Sequence, residues 1–186
     1  EKYTNHIGNI QQKVDDMTKM LEDVLTLSRV ERGKIKFEPK MLNFKEHLNE
    51  LIEVYKINCI SDCTIKLDYN SSKNEHNLDK NLLNQIFGNI LSNSIKYSKE
   101  NILIEIKVED TDSNITVSLK DNGIGIHEDD LPNVFNAFTR GNGVENIKGT
   151  GLGLTLVKEA VELHKGSIHL NSNKGEGTIV RVTIPV

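Results

Sequence analysis

Three glycine-punctuated stretches constrain this chain more than anything else in it: Asp121-Asn122-Gly123-Ile124-Gly125, Gly149-Thr150-Gly151-Leu152-Gly153 and Gly175-Glu176-Gly177-Thr178. Glycine permits backbone conformations and close approaches that a Cβ forbids. Each stretch alone reads as a turn, since Asp, Asn and Gly together commonly make one. The middle stretch also opens a helical pattern, and unpaired N–H groups at a helix N-terminus favour phosphate oxygens. Its G-x-G-x-G spacing is wrong for a dinucleotide fingerprint, and no Lys-Ser/Thr follows as a Walker-type loop needs.

Upstream, the run Ile86–Ser98 carries Asn89, Asn93 and Lys96 at steps of four and three, which places them on one helical face. Ile86, Ile90 and Leu91 supply its apolar side. Two carboxamides and an ammonium suit a cation and a phosphate chain, although the same pattern also describes a solvated amphipathic helix. The net charge of -4 gives no support to a nucleic-acid surface. No apolar run is long enough to span a bilayer, so a membrane anchor of the parent protein would lie outside these residues. Cys59 and Cys63 are too few for a disulfide framework and wrongly spaced for a zinc site, and read as ordinary thiols in a reducing cytosol.

The order and spacing of these motifs resemble the ATP-binding domain of bacterial sensor histidine kinases, in the superfamily shared with gyrase B, heat-shock chaperone ATPases and MutL. The resemblance implies ATP and Mg²⁺ as cofactors. It makes Asn93 the Mg²⁺ ligand and has Asn89 support the metal and phosphates. Lys96 would contact phosphate, and Tyr97 would pack on the base or ribose. Asp121 would read the exocyclic amine of adenine, with Gly123 and Gly125 letting backbone approach the ring. Lys148, Gly149, Gly151, Leu152 and Gly153 would cradle phosphate, and Thr178 would sit near the adenine through water. Phe135 and Phe138 would anchor a lid, whose Arg140 helps with the terminal phosphate.

Read along the chain, residues 3–32 predict one long helix, with Ile7, Ile10, Val14, Met17, Leu21 and Val24 forming a heptad seam. Met20, Leu25 and Leu27 widen that seam toward a four-helix bundle. The expected organisation is residues 1–33 as the second helix of a dimerisation hairpin, without its first helix, and 34–186 as the ATP-binding domain. In the latter, Ile35–Phe37 predicts a first strand, Asn43 caps a helix to about Asn58, and Thr64–Tyr69 is a strand. Asn70–Asn77 reads as a polar turn, and Asp79 caps the central helix through Tyr97. Ile102–Val108 and Ile115–Leu119 predict an antiparallel hairpin. His127–Val134 reads as a short helix, 136–148 as a mobile loop, and Thr150–His164 as a helix. Ser167–Asn171 and Thr178–Ile184 form a closing hairpin. The fold class is therefore α+β: a two-layer sandwich of a mixed sheet with helices on one face, preceded by a dimerisation-type helix.

Hydrolysing members of the superfamily place a water-activating glutamate one turn before the metal-binding asparagine. Asn89 stands there and cannot act as a general base. That favours a transferase, in which ATP passes its γ-phosphoryl group to a histidine, for relay to an aspartate on a response-regulator receiver domain. No sequence like the family's phosphoacceptor pattern occurs here, and His6 lacks its acidic and proline neighbours. The chain is expected to be a cytoplasmic fragment that binds Mg-ATP, does not phosphorylate itself, and forms homodimers through residues 7–28. The competing readings are a non-catalytic nucleotide-binding and dimerisation module, and an ATPase clamp of the same superfamily.

Overall fold

The computed structural model describes residues 13–14, 17–18, 20–26, 28, 35–59, 62–98, 100–144, 147 and 149–186. The chain divides into two compact units, Glu1–Lys36 and Phe37–Val186. In the first, every described position from 13 to 28 is helical. Val14, Met17, Leu21 and Val24 keep the seam spacing and are all exposed, as are Met20 and Leu25. Ile7, Ile10, Leu27 and Gly33, where the sequence suggests the domain boundary, lie outside the described residues.

The second unit opens with strand β1 (Lys40–Asn43) and helix α1 (Phe44–Ile57). Asn43 caps α1 by accepting a hydrogen bond from the Glu46 N–H at 3.1 Å, as its residue type predicts. Strands β2 (Cys63–Asn70) and β3 (Glu75–Leu78) follow, then α2 (Lys80–Lys96). Asp79 caps α2 by accepting from the N–H groups of Asn81 and Leu82 at 2.9 and 3.2 Å. Strands β4 (Ile102–Asp110) and β5 (Asn114–Asp121) form the expected hairpin, followed by a 3-10 segment at Glu128–Asn133. Helix α3 (Gly153–Leu163) and the hairpin β6 (Ser167–Asn173) and β7 (Gly177–Pro185) complete the unit.

Five strands form one sheet in the order β2-β4-β5-β7-β6, parallel at β2/β4 and antiparallel elsewhere. Alternation sends Ile102, Ile104, Ile106 and Val108 of β4, and Ile115, Val117 and Leu119 of β5, into the core. Phe44, Leu48 and Ile52 of α1, Ile86, Phe87 and Ile90 of α2, and Leu156, Val157 and Val161 of α3 are buried with them. The apolar stripes of the helices are thus spent on one sheet face, and the polar face of α2 is left for other work.

Three expectations need correction. Ile35–Phe37 is not a strand: Phe37 stands edge-on to His164 at 5.0 Å, and the Glu38 N–H donates to Asp79 Oδ2 at 2.8 Å. Pairing begins only beyond Pro39, at Lys40, and runs antiparallel to β3. That partner, Glu75–Leu78, begins inside the stretch read as a turn and runs one residue past it, with His76 and Leu78 facing inward. Finally, α3 starts at Gly153 rather than Thr150, because Gly151 takes φ +72°.

Two buried histidines give the unit a pH dependence. His47 has neither ring nitrogen hydrogen-bonded, and His164 accepts the Asp79 N–H at Nε2 while its Nδ1 donates to the Ala160 carbonyl. Burial pushes both below the ordinary value of 6.5; Lys80 pushes His47 down further, and the Ala160 bond partly offsets the shift at His164. Below 6.5 the unfolded chain takes up protons that these folded sites refuse, so stability is complete above that value and falls beneath it. Melting temperature should hold from about pH 8 to about pH 7 and drop by about pH 5.5, with the drop reduced in His47→Leu. A flat profile in both proteins would sink this assignment.

Candidate nucleotide-binding site

The C-terminal half of α2 carries Asn89, Asn93 and Lys96 along its partly exposed face, and Tyr97 follows as its C-cap. The start of α3 packs against this face. A Cβ on Gly153 would stand 3.3 Å from Asn89 Oδ1 and 3.7 Å from the Asn93 side-chain amide. Asn89 donates its own amide to the Gln85 carbonyl at 2.8 Å, which leaves Oδ1 turned toward Gly153. Gln85 in turn donates to the Leu156 carbonyl at 3.2 Å, tying the two helices together beside the asparagines. The glycine stretch therefore sits on the carboxamide face because glycine leaves room there.

Lys96 and Gly149 are a second such pair, since a Cβ on Gly149 would collide with the Lys96 ammonium. That ammonium donates to the Tyr97 hydroxyl at 2.9 Å and lies 4.4 Å from the centre of the Tyr97 ring. Gly151 lies against the Phe138 carbonyl carbon and the Thr139 oxygen, both 2.8 Å from where its Cβ would be. Thr155 Oγ1 donates to the Phe135 carbonyl at 3.0 Å, fastening α3 to the segment before the loop. Lys148 lies outside the described residues.

Asp121 ends β5 beside Tyr97. Its Oδ1 accepts the N–H groups of Gly123 at 2.9 Å and Thr178 at 3.1 Å, and its Oδ2 accepts the Ser94 hydroxyl at 3.0 Å. The Ile124 N–H donates to the Tyr97 carbonyl at 3.0 Å, so the segment after Asp121 is stitched to the end of α2. The β6–β7 turn closes the other side, with Gly175 N–H donating to the Ile124 carbonyl at 2.7 Å. Gly125, at φ +66°, packs against the Asn173 carbonyl, where no side chain fits. The Thr178 hydroxyl lies 3.0 Å from Ser172 Oγ, and its backbone N–H meets Asp121.

Arg140 is engaged within its own loop, where its guanidinium donates to the carbonyls of Val144 and Ile147. Asp130 holds the same loop by accepting from the Asn142 backbone at 2.9 Å and its side-chain amide at 2.7 Å. Phe135 is half-buried, while Phe138 is exposed and adopts φ +62°. The site thus brings together Asn89, Asn93, Lys96, Tyr97, Gly149 and Gly153 at one end and Asp121, Gly123, Gly125 and Thr178 at the other.

Two residues escaped the sequence reading. Ser94 continues the buried Ile86–Ile90 row at a further step of four, where a polar side chain calls for a partner. Ser172 extends the Ile168–Leu170 alternation of β6 inward and accepts the Ile126 N–H at 2.9 Å.

The site thus sets glycines on an Asn-x-x-x-Asn-x-x-Lys helix face beside a mixed sheet, and its G-x-G-x-G spacing fits neither a dinucleotide fingerprint nor a P-loop. Residues 78–186 match the family described as histidine kinase-, DNA gyrase B- and HSP90-like ATPase. The chain is 32% identical over 177 residues to the sensor histidine kinase YvrG of Bacillus subtilis strain 168, covering 93% of this chain and 30% of that protein. It is 30% identical over 179 residues to the sensor protein kinase WalK of Staphylococcus aureus, covering 94% and 43%. The Acinetobacter baumannii histidine kinase AdeS superposes with a TM-score of 0.80 over 96% of this chain and 83% of that one, at 22% identity. The chain belongs to the histidine kinase-, DNA gyrase B- and HSP90-like ATPase family. It spans less than half the length of these curated relatives.

Proposed function

We propose that residues 34–186 bind Mg-ATP and deliver its γ-phosphoryl group to a histidine on a dimerisation helix outside these residues, for relay to a response-regulator aspartate. The observation that carries this reading is the opposition of Gly149 and Gly153 to Lys96, Asn89 and Asn93. Asp121 would read the adenine amine, Tyr97 would pack on the base, and Gly123 and Gly125 would let the ring approach the backbone. Lys148, Gly149, Gly151 and Leu152 would face the phosphates, Lys96 would neutralise them as a point charge, and Thr178 would flank the adenine. Arg140 would reach the terminal phosphate only after leaving its carbonyl partners in the loop.

Asn89 Oδ1 and the Asn93 carboxamide fit Mg²⁺, a hard cation that accepts one or two protein oxygens when phosphates supply the charge. Bound there, the ion would neutralise charge on the phosphates. The protein's part is to orient the γ-phosphoryl group and exclude an activated water, since Asn89 offers no base.

Residues 1–33 would belong to the dimerisation hairpin, and pairing through 7–28 would cover the exposed Val14, Met17, Leu21 and Val24. The receiver-domain partner is supported by the histidine kinase ThkA, a structural neighbour solved in complex with the response regulator protein TrrA. No helix among the described residues is long and apolar enough to cross a membrane. We place this part of the parent protein in the cytoplasm, where ATP is available, and any anchor elsewhere in that protein.

The test follows label from γ-labelled ATP with Mg²⁺. The chain alone should yield neither free phosphate nor labelled protein, and label should appear on an added helical hairpin bearing the acceptor histidine. Rapid release of free phosphate by the chain alone would make it an ATPase and overturn the argument from Asn89.

A further inference from the structure

Resting on the adenine-binding reading above, we propose that Ser94 is a positioning residue for base selection, holding Asp121 so that its carboxylate presents one defined acceptor to the six-amino group of adenine. An ionised carboxylate offers about four acceptor positions on two oxygens. The N–H groups of Gly123 and Thr178 fill those on Oδ1, and the Ser94 hydroxyl takes one on Oδ2. One position remains, on Oδ2, and it is the only one left for a ligand donor.

Two backbone N–H groups hold Oδ1. The third bond comes from a different element, the buried face of α2, and holds the other oxygen, Oδ2, from which the base would be met. Ser94 is only 5% exposed. It follows Ile86 and Ile90 along the core-facing row, where an alanine would pack without difficulty. A hydroxyl has a single proton to donate, and here it goes to Asp121, so the bond has one direction. The backbone beside it is secured separately, since the Ser98 hydroxyl donates to the Ser94 carbonyl at 2.7 Å. The Ser94 hydroxyl therefore spends its proton on the carboxylate.

The consequence is selective. A base with an amine at position six uses the remaining acceptor, while a base with a carbonyl there cannot. Loss of the Ser94 hydroxyl should cost the first kind of nucleotide and spare the second. Calorimetric titration of the chain with ATP and with inosine triphosphate, which differ at that position, reads this directly. Ser94→Ala should weaken ATP about five- to tenfold and leave inosine triphosphate nearly unchanged. Ser94→Thr, which keeps the hydroxyl, should restore the ratio. In an Asp121→Asn background, Ser94→Ala should add nothing, because the acceptor it orients is gone.

Equal weakening of both nucleotides would mean that Ser94 only supports the fold, and no change in either would mean that its bond is idle; each overturns the proposal. Failure of the adenine reading looks different. If the unaltered chain bound neither nucleotide, or if Asp121→Asn left ATP affinity untouched, the pocket itself would be misread. If Asp121→Asn weakened ATP while Ser94→Ala left the ATP-to-inosine ratio as it was, only the Ser94 assignment would fall.

Discussion

Asp121→Asn should lower ATP affinity on the order of 10- to 100-fold while leaving the fold intact. The substitution is nearly isosteric, and its separate effects can be followed atom by atom. The Asn oxygen can still accept the N–H groups of Gly123 and Thr178 that now meet Oδ1. The amide nitrogen would replace Oδ2 and face Ser94, whose hydroxyl can turn and accept from it. Internal hydrogen bonding is thus preserved, and melting temperature should move by no more than about 2 °C. What changes is the group facing the base: the adenine amine would meet an N–H donor instead of an acceptor. Losing a hydrogen bond to a charged group costs about 1.5–3 kcal/mol, which sets the range above. A guanine or hypoxanthine carbonyl would meet a donor, so the preference for ATP over GTP should narrow or reverse. Titration with both nucleotides measures each effect, and an unchanged ATP affinity would remove Asp121 from the base-binding role.

The elements that could be read from the sequence were those whose cause is local. Asn43 and Asp79 cap because a short polar side chain before an apolar-periodic run has one favourable use. The β4–β5 and β6–β7 hairpins follow from strict alternation flanking turn residues. The Asn89-Asn93-Lys96 face follows from helical spacing alone, and what Gly149 and Gly153 add is a reason for its being left open. What could not be read depends on partners distant in sequence. Glu75–Leu78 is polar enough to pass for a turn and becomes a strand only through Lys40–Asn43. Phe37 turns away from any ladder because His164 and Asp79, far along the chain, claim it and its neighbour Glu38. Arg140 is bonded to carbonyls that its own loop brings near, which no spacing rule foresees. Ser94 is the intermediate case, since its misfit in an apolar row was visible while its partner was not.

The largest structural effect should come from Gly177→Ala, and its companion Gly175→Ala shows why. Both glycines occupy nearly the same left-handed conformation, with φ +90° at Gly177 and +88° at Gly175. Their surroundings differ completely. A methyl on Gly175 meets nothing within 4 Å. One on Gly177 collides with the carbonyl oxygen of Asp121, and lies 2.9 Å from its carbon and 3.1 Å from the Asn122 Cα. None of these is a flexible side-chain end, so the β5 terminus or the β6–β7 hairpin must move. Gly175→Ala therefore carries only the backbone cost of its conformation, about 1–2 kcal/mol. Gly177→Ala carries that cost plus overpacking, for a total on the order of 3–4 kcal/mol and a fall in melting temperature of roughly 8–14 °C. The two should separate further in nucleotide binding. The atoms that Gly177 would displace are those of Asp121 itself, and the neighbouring Thr178 N–H is one of the two holding Oδ1. Gly177→Ala should thus lose ATP binding at temperatures where it is still folded, whereas Gly175→Ala should retain affinity within about twofold. If both variants bound ATP equally well, the close approach of the β6–β7 turn to Asp121 would be a packing detail rather than part of the base-reading apparatus.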